Sequence, residues 1–172
     1  IPNFGNNQVS VRRVLASGDS VHVDNTATGT VNLKPIVVRR HPNLPVIYVS
    51  CATIGAEGTL DAFNFNSSNG TLTRLGGHPI ASPRTAFSLS IHPSGNFLYA
   101  AGADALRSYS VGNDGRLTVL GADLPLAQAC ERDGLFVGGG SHLHLPLERE
   151  IRTFAINGTD GTASDIGSTP VN

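Results

Sequence analysis

A chain of 172 residues is long enough for one domain with a real core, and its 15% charged residues and net charge of −1 exclude the highly charged, disordered class. The basic residues are eleven Arg and the single Lys34, with only Arg12-Arg13 and Arg39-Arg40 adjacent, so no basic surface is on offer to nucleic acid or an anionic membrane. No apolar run approaches the 18 or so residues of a spanning helix, so no membrane span is expected.

In chain order, Gln8 to Val14 and Ser20 to Val23 read as two strands joined through Ala16-Ser17-Gly18-Asp19. They fit the outer half of a four-stranded sheet whose inner half is missing. Three copies of a longer pattern follow. The first runs through His41-Pro42-Asn43, Val46 to Ser50, Leu60 to Phe65 and the turn ending at Gly70. The middle copy is the clearest: Ile91-His92-Pro93-Ser94-Gly95, Phe97 to Gly102, Leu106 to Val111, then Asn113-Asp114-Gly115. The third runs through Arg132-Asp133-Gly134, Leu135 to Gly139, Ile151 to Ile156 and Asp160-Gly161. Pro presets φ in the His-Pro turns of the first two units and Gly accepts a positive φ, while Glu131-Arg132-Asp133 is expected to replace that turn as the first hairpin of the third. Asp-Gly is a strong two-residue hairpin signal.

Gly70, Gly115 and Gly161 lie 45 and 46 residues apart. A period of this size, made of short strands and turns, marks stacked four-stranded blades. The expected fold is all-β: a β-propeller of about three full blades plus a half blade, in a single and partial domain, with blades at about 33–80, 86–122 and 126–171. The middle blade is expected to place strands at Ala86–Ile91, Phe97–Gly102, Ala105–Val111 and Leu117–Gly121. The third is expected to carry an insertion from Ser141 to Arg149 between its second and third strands. Cys51 and Cys130 then fall a whole blade apart, beyond bridging distance, and are expected as buried free thiols.

A blade covers its faces only against neighbouring blades, so three and a half of them leave two faces open. Closure as a small ring, self-association with a second copy, or further blades in a longer chain would each cover them. The last two are favoured. The chain holds no Met and opens at Ile1, which fits a processed, trimmed or incomplete start. Together with a surface rich in Ser, Thr and Asn, this leans toward an extracellular or periplasmic location.

The blade opening Ser90-Ile91-His92-Pro93-Ser94-Gly95-Asn96-Phe97-Leu98-Tyr99-Ala100 and the closing element Tyr109 to Thr118, repeated at Phe63 to Thr73, resemble the seven-bladed lactonase-like propellers. That group includes 6-phosphogluconolactonase and carboxy-cis,cis-muconate cyclase. The resemblance runs over about 36–167. It implies a small sugar lactone or cyclic ester bound at the central channel. Members often carry Pro-Arg-His before a first strand and Asn-Glu after a second. The matching positions here are Pro83-Arg84-Thr85 and Gly102-Ala103, so the arginine is kept while the histidine and the carboxylate are absent. Lactone chemistry needs a group that moves a proton and a cation that holds the oxyanion.

The resemblance therefore points to Arg84 for the oxyanion, with Arg132, Glu131 or His142 in support. In an extended tract, His142 and His144 project to one face, yet two imidazoles without a third ligand make no metal site. His41 and His92 read as structural turn residues. No cofactor and no metal are expected. A small-molecule lactone or carbohydrate is the expected partner. The competing reading is a non-catalytic, secreted or surface propeller acting as a binding module or assembly subunit.

Overall fold

The computed structural model describes every residue except 4, 29–32, 54–55, 131 and 172. The described residues form sixteen strands in four antiparallel sheets. The N-terminal sheet holds β1 (Pro2–Asn3), β2 (Gln8–Val14) and β3 (Ser20–Ala27) in that order. The first blade holds β4 (Lys34–Arg40), β5 (Val46–Ala52), β6 (Gly58–Phe65) and β7 (Leu72–Arg74), with β8 (Ile80–Ser82) also paired to β6. The second runs β9 (Ser88–Ile91), β10 (Phe97–Ala101), β11 (Ala105–Val111) and β12 (Leu117–Pro125). The third runs β13 (Leu135–Val137), β14 (His142–Pro146), β15 (Glu150–Ile156) and β16 (Ala163–Pro170). The fold is all-β, a partial β-propeller of three full blades and an incomplete one.

Up-and-down order within each blade divides the turns between two ends. The turns joining first to second and third to fourth strands share one end, which carries His41 and His92. The loops joining second to third strands, and one blade to the next, share the other.

The first and second blades each bury both faces, which explains the unbroken apolar runs in their second strands. All five residues of β10 are buried. Phe97, Tyr99 and Ala101 enter the core shared with the third blade, while Leu98 and Ala100 enter the core shared with the first. Each large side chain so buried contributes about 1.5–3 kcal/mol.

These seams are also pinned by hydrogen bonds onto glycine carbonyls. Asn43 and Leu44 N–H groups donate to His41 Nδ1 at 3.0 and 2.8 Å, so the proton sits on Nε2, which donates to Gly95 O at 2.8 Å. Tyr48 Oη donates to Gly115 O at 2.8 Å. One blade later Tyr99 Oη donates to Gly161 O at 2.9 Å, and the His92 ring lies against Gly140.

The third blade departs from expectation at its first hairpin. Leu135–Val137 is its innermost strand, and the second strand, β14, lies inside the segment read as an insertion. The cause is the Gly138–Gly140 turn, where φ is +60°, +67° and +102°. Three left-handed glycines replace the His-Pro-Ser turn. Gly140 meets His92 just as Gly95 meets His41. Cys130, expected in a first strand, instead makes an isolated bridge to Leu147 ahead of β13.

The N-terminal sheet agrees with the outer-half reading in strand direction. The β2–β3 hairpin lies at the histidine end beside Gly70, and Arg74 Nη2 donates to Ala27 O at 2.6 Å nearer the other. Its strands thus run as second, third and fourth. The short β1 lies beside β4 as β4 lies beside β9.

Candidate active site at the arginine end of the blades

Arg84 lies on the loop that enters β9, and Arg132 on the loop that enters β13. Both are exposed at the same end of adjacent blades. The Arg84 loop is fixed by its backbone. Arg84 N–H donates to Asp104 Oδ1 at 3.2 Å, and Ala103 N–H donates to Arg84 O at 2.8 Å. Thr85 follows at φ +47°, a left-handed value that is uncommon for a β-branched residue, and it is buried. Such strain persists only where the surroundings enforce it. Gly102 is part of that enforcement, since a Cβ there would lie only 2.1 Å from Arg84 O. The Arg84 carbonyl thus lies against the bare backbone of Gly102.

Arg132 shares a cleft of about 230 Å³ with Pro146, Leu147 and Glu148. Its carbonyl accepts a hydrogen bond from Cys130 Sγ at 3.1 Å. The expected first-hairpin position for Glu131-Arg132-Asp133 is corrected: Arg132 and Asp133 precede β13, because the glycine turn makes the hairpin. Glu131 lies outside the described residues.

His142 belongs to the opposite end, at the start of β14, where Ser141 Oγ lies 2.9 Å from its Nδ1. The structure thus brings Arg84 and Arg132 to one end and sets His142 apart from them. His142 and His144 do share one face, with Leu143 and Leu145 buried on the other.

Between the two ends runs an axial groove of about 370 Å³, walled by the innermost strands β4, β9 and β13. Arg39 and Arg40 both line it, although neighbours in an extended strand point to opposite faces. Arg39 Nη2 forms an ion pair with Asp133 Oδ2 across the groove. Residues 94 apart in sequence make this pair, and nothing local in the sequence signals it.

The two thiols are free and buried. Burial pushes the Cys51 thiol up to about 12 and raises that of Cys130, so neither supplies a thiolate nucleophile near neutrality. Among the described residues, no group of three His, Cys, Asp or Glu is placed to hold a metal ion, and no helix is long and apolar enough to cross a membrane.

What these sheets define is an array of propeller blades. No protein-family model matches the sequence, and no curated protein matches it. Solved structures do. A candidate 6-phosphogluconolactonase from Bacteroides uniformis superposes at a TM-score of 0.86 over 98% of this chain and 50% of its own, at 16% identity. The periplasmic gluconolactonase of Pseudomonas aeruginosa gives 0.74 over 95% of this chain and 50% of its own, at 17% identity. A candidate 6-phosphogluconolactonase from Bacteroides fragilis gives 0.60 over 99% and 67%, at 16% identity. The chain has the lactonase-like β-propeller fold and spans about half the length of the first two of these proteins.

Proposed function

We propose that this chain forms the arginine-bearing part of a lactonase-like propeller that opens a small sugar lactone or related cyclic ester at the mouth of the axial groove. The observation that carries the reading is the placement of Arg84 and Arg132, each on the loop feeding an innermost strand, at one end of neighbouring blades. Arg84 is the group assigned to the developing oxyanion, since a fixed guanidinium is already oriented when charge appears on the carbonyl oxygen. Its loop is pinned by Asp104 and Ala103 on one side and by the close approach of Gly102 on the other. Arg132, with Glu131 beside it in sequence, supports the substrate's polar groups from the next blade. The substrates in the names of the Bacteroides and Pseudomonas proteins, gluconolactone and its 6-phosphate, are the first to try.

The test is lactone hydrolysis by the purified chain, followed as acid release with an indicator. Arg84→Ala is expected to lower kcat/KM by about 10²–10³, the usual loss on removing one oxyanion partner. Hydrolysis unchanged by that substitution rejects the assignment of Arg84.

A further inference from the structure

The β2–β3 hairpin contains a fourth member of the hairpin-glycine series. Gly18 has φ +87°, beside +80° at Gly70, +83° at Gly115 and +75° at Gly161. Its turn is closed as that of Gly115 is, Gly18 N–H donating to Leu15 O at 3.0 Å and Gly115 N–H to Gly112 O at 2.8 Å, while Gly70 and Gly161 reach one residue further back, to Asn66 O and Asn157 O. The other three are seated on a neighbouring sheet. A Cβ at Gly70 would lie 2.6 Å from Val23, one at Gly115 2.6 Å from Val46, and one at Gly161 2.2 Å from Phe97. Gly18 faces nothing within 4 Å.

The third blade presents the matching half. In register, His142 pairs with Ala155 as Val46 pairs with Asn64 and Phe97 with Ser110, so His142 stands where the other blades receive a hairpin glycine. His144 stands where Tyr48 and Tyr99 donate to that glycine's carbonyl. Its Nδ1 lies 2.9 Å from Thr153 Oγ1; with the hydroxyl donating, the ring proton is on Nε2. Both histidines are half-buried on the blade's outward face, whereas Tyr48 and Tyr99 are sealed in seams.

We infer that two copies of this chain associate, the Gly18 hairpin of one seating on the His142–His144 face of the other, with His144 Nε2 donating to Gly18 O. Each copy supplies one hairpin and one receiving face, so two equivalent contacts close a two-fold assembly. The contact continues the seam chemistry already present twice inside the chain.

Sedimentation and native mass measurements on the 172-residue chain test this. The expected species has twice the 17.9 kDa of one chain. Gly18→Asn keeps the left-handed turn, because Asn tolerates it, but adds a side chain where seated glycines leave no room. It is expected to weaken association by about tenfold or more with an unchanged far-UV spectrum. Gly121→Asn, at another exposed left-handed glycine, leaves association intact. His144→Tyr rebuilds the bond of the inner seams and tightens it. A chain that stays at 17.9 kDa as concentration rises, or a dimer indifferent to Gly18→Asn, overturns the inference.

Discussion

The seam between the second and third blades and the seam between the N-terminal sheet and the first blade join the same kind of sheet by different means. In the former, Phe97 and Tyr99 meet Gly161, and His92 meets Gly140, over a core that includes Leu143, Leu145 and Phe154. In the latter, Gly70 rests on Val23 without a tyrosine bond, and an apolar groove of about 520 Å³ stays open between β2 and the first blade. An ion pair is set into this second seam instead. Asp61, fully buried in β6, lies 3.0 Å from Arg74 Nε, and Arg74 also reaches Ala27 O on β3. Close packing onto backbone is available where blades are complete. Where one is incomplete, a long charged side chain spans the gap.

The largest expected effect breaks the tight seam. Gly161→Ala places a methyl 2.2 Å from the Phe97 ring at φ +75° and is expected to cost about 3 kcal/mol or more, from overpacking plus left-handed strain. Gly77→Ala, at φ +83° with nothing within 4 Å, should cost only the strain, about 1–2 kcal/mol. Urea unfolding of the two variants separates packing from backbone.

Next comes the looser seam. Arg74→Ala leaves the Asp61 carboxylate buried without its guanidinium, and a loss of about 2–3 kcal/mol is expected, below the usual range for buried pairs because Arg74 is partly exposed. The same unfolding experiment measures it. A loss below about 0.5 kcal/mol, the level of an ordinary surface substitution, would show that the pair holds nothing together.

The smallest effect is a pH dependence that sharpens the contrast. Burial lowers the His92 imidazole, and that of His78, below the ordinary value of 6.5. A base held neutral in the fold binds its proton more readily once unfolded. Its contribution is therefore complete above pH 6.5 and is lost as pH falls through the lowered folded values. Melting temperature should decline from about pH 7 to 5, and His92→Gln should flatten part of that decline. A flat wild-type profile would remove His92 as a neutral seam residue.

The middle blade was legible because its strands are buried on both faces and its turns carry Pro and Gly at the positions the backbone demands. β9 starts at Ser88 rather than Ala86 and β12 runs on to Pro125, but the four strands follow in the order expected. The third blade misled for a physical reason. Leu135-Phe136-Val137 before glycines looks like a second strand, while the real one begins with histidines where the other blades have Val46 with Tyr48, or Phe97 with Tyr99. Gly18 was legible as a turn residue but not as a member of the hairpin-glycine series, because it precedes Gly70 by 52 residues, off the period of the other three. At the candidate site, Arg84 comes from the family resemblance, through Pro83-Arg84-Thr85 ahead of a first strand. The approach of its carbonyl to Gly102 and the Arg39–Asp133 pair depend on how blades sit together, which no local pattern encodes.

His41, Tyr48 and Tyr99 all donate to peptide oxygens of the next sheet. A latch that reads main chain asks its neighbour for a bare Cα at one corner and leaves every other side chain there at liberty. Sheets joined in this way tolerate wide change of side chain while the joint survives, which suits an architecture superposable on proteins that share one residue in six.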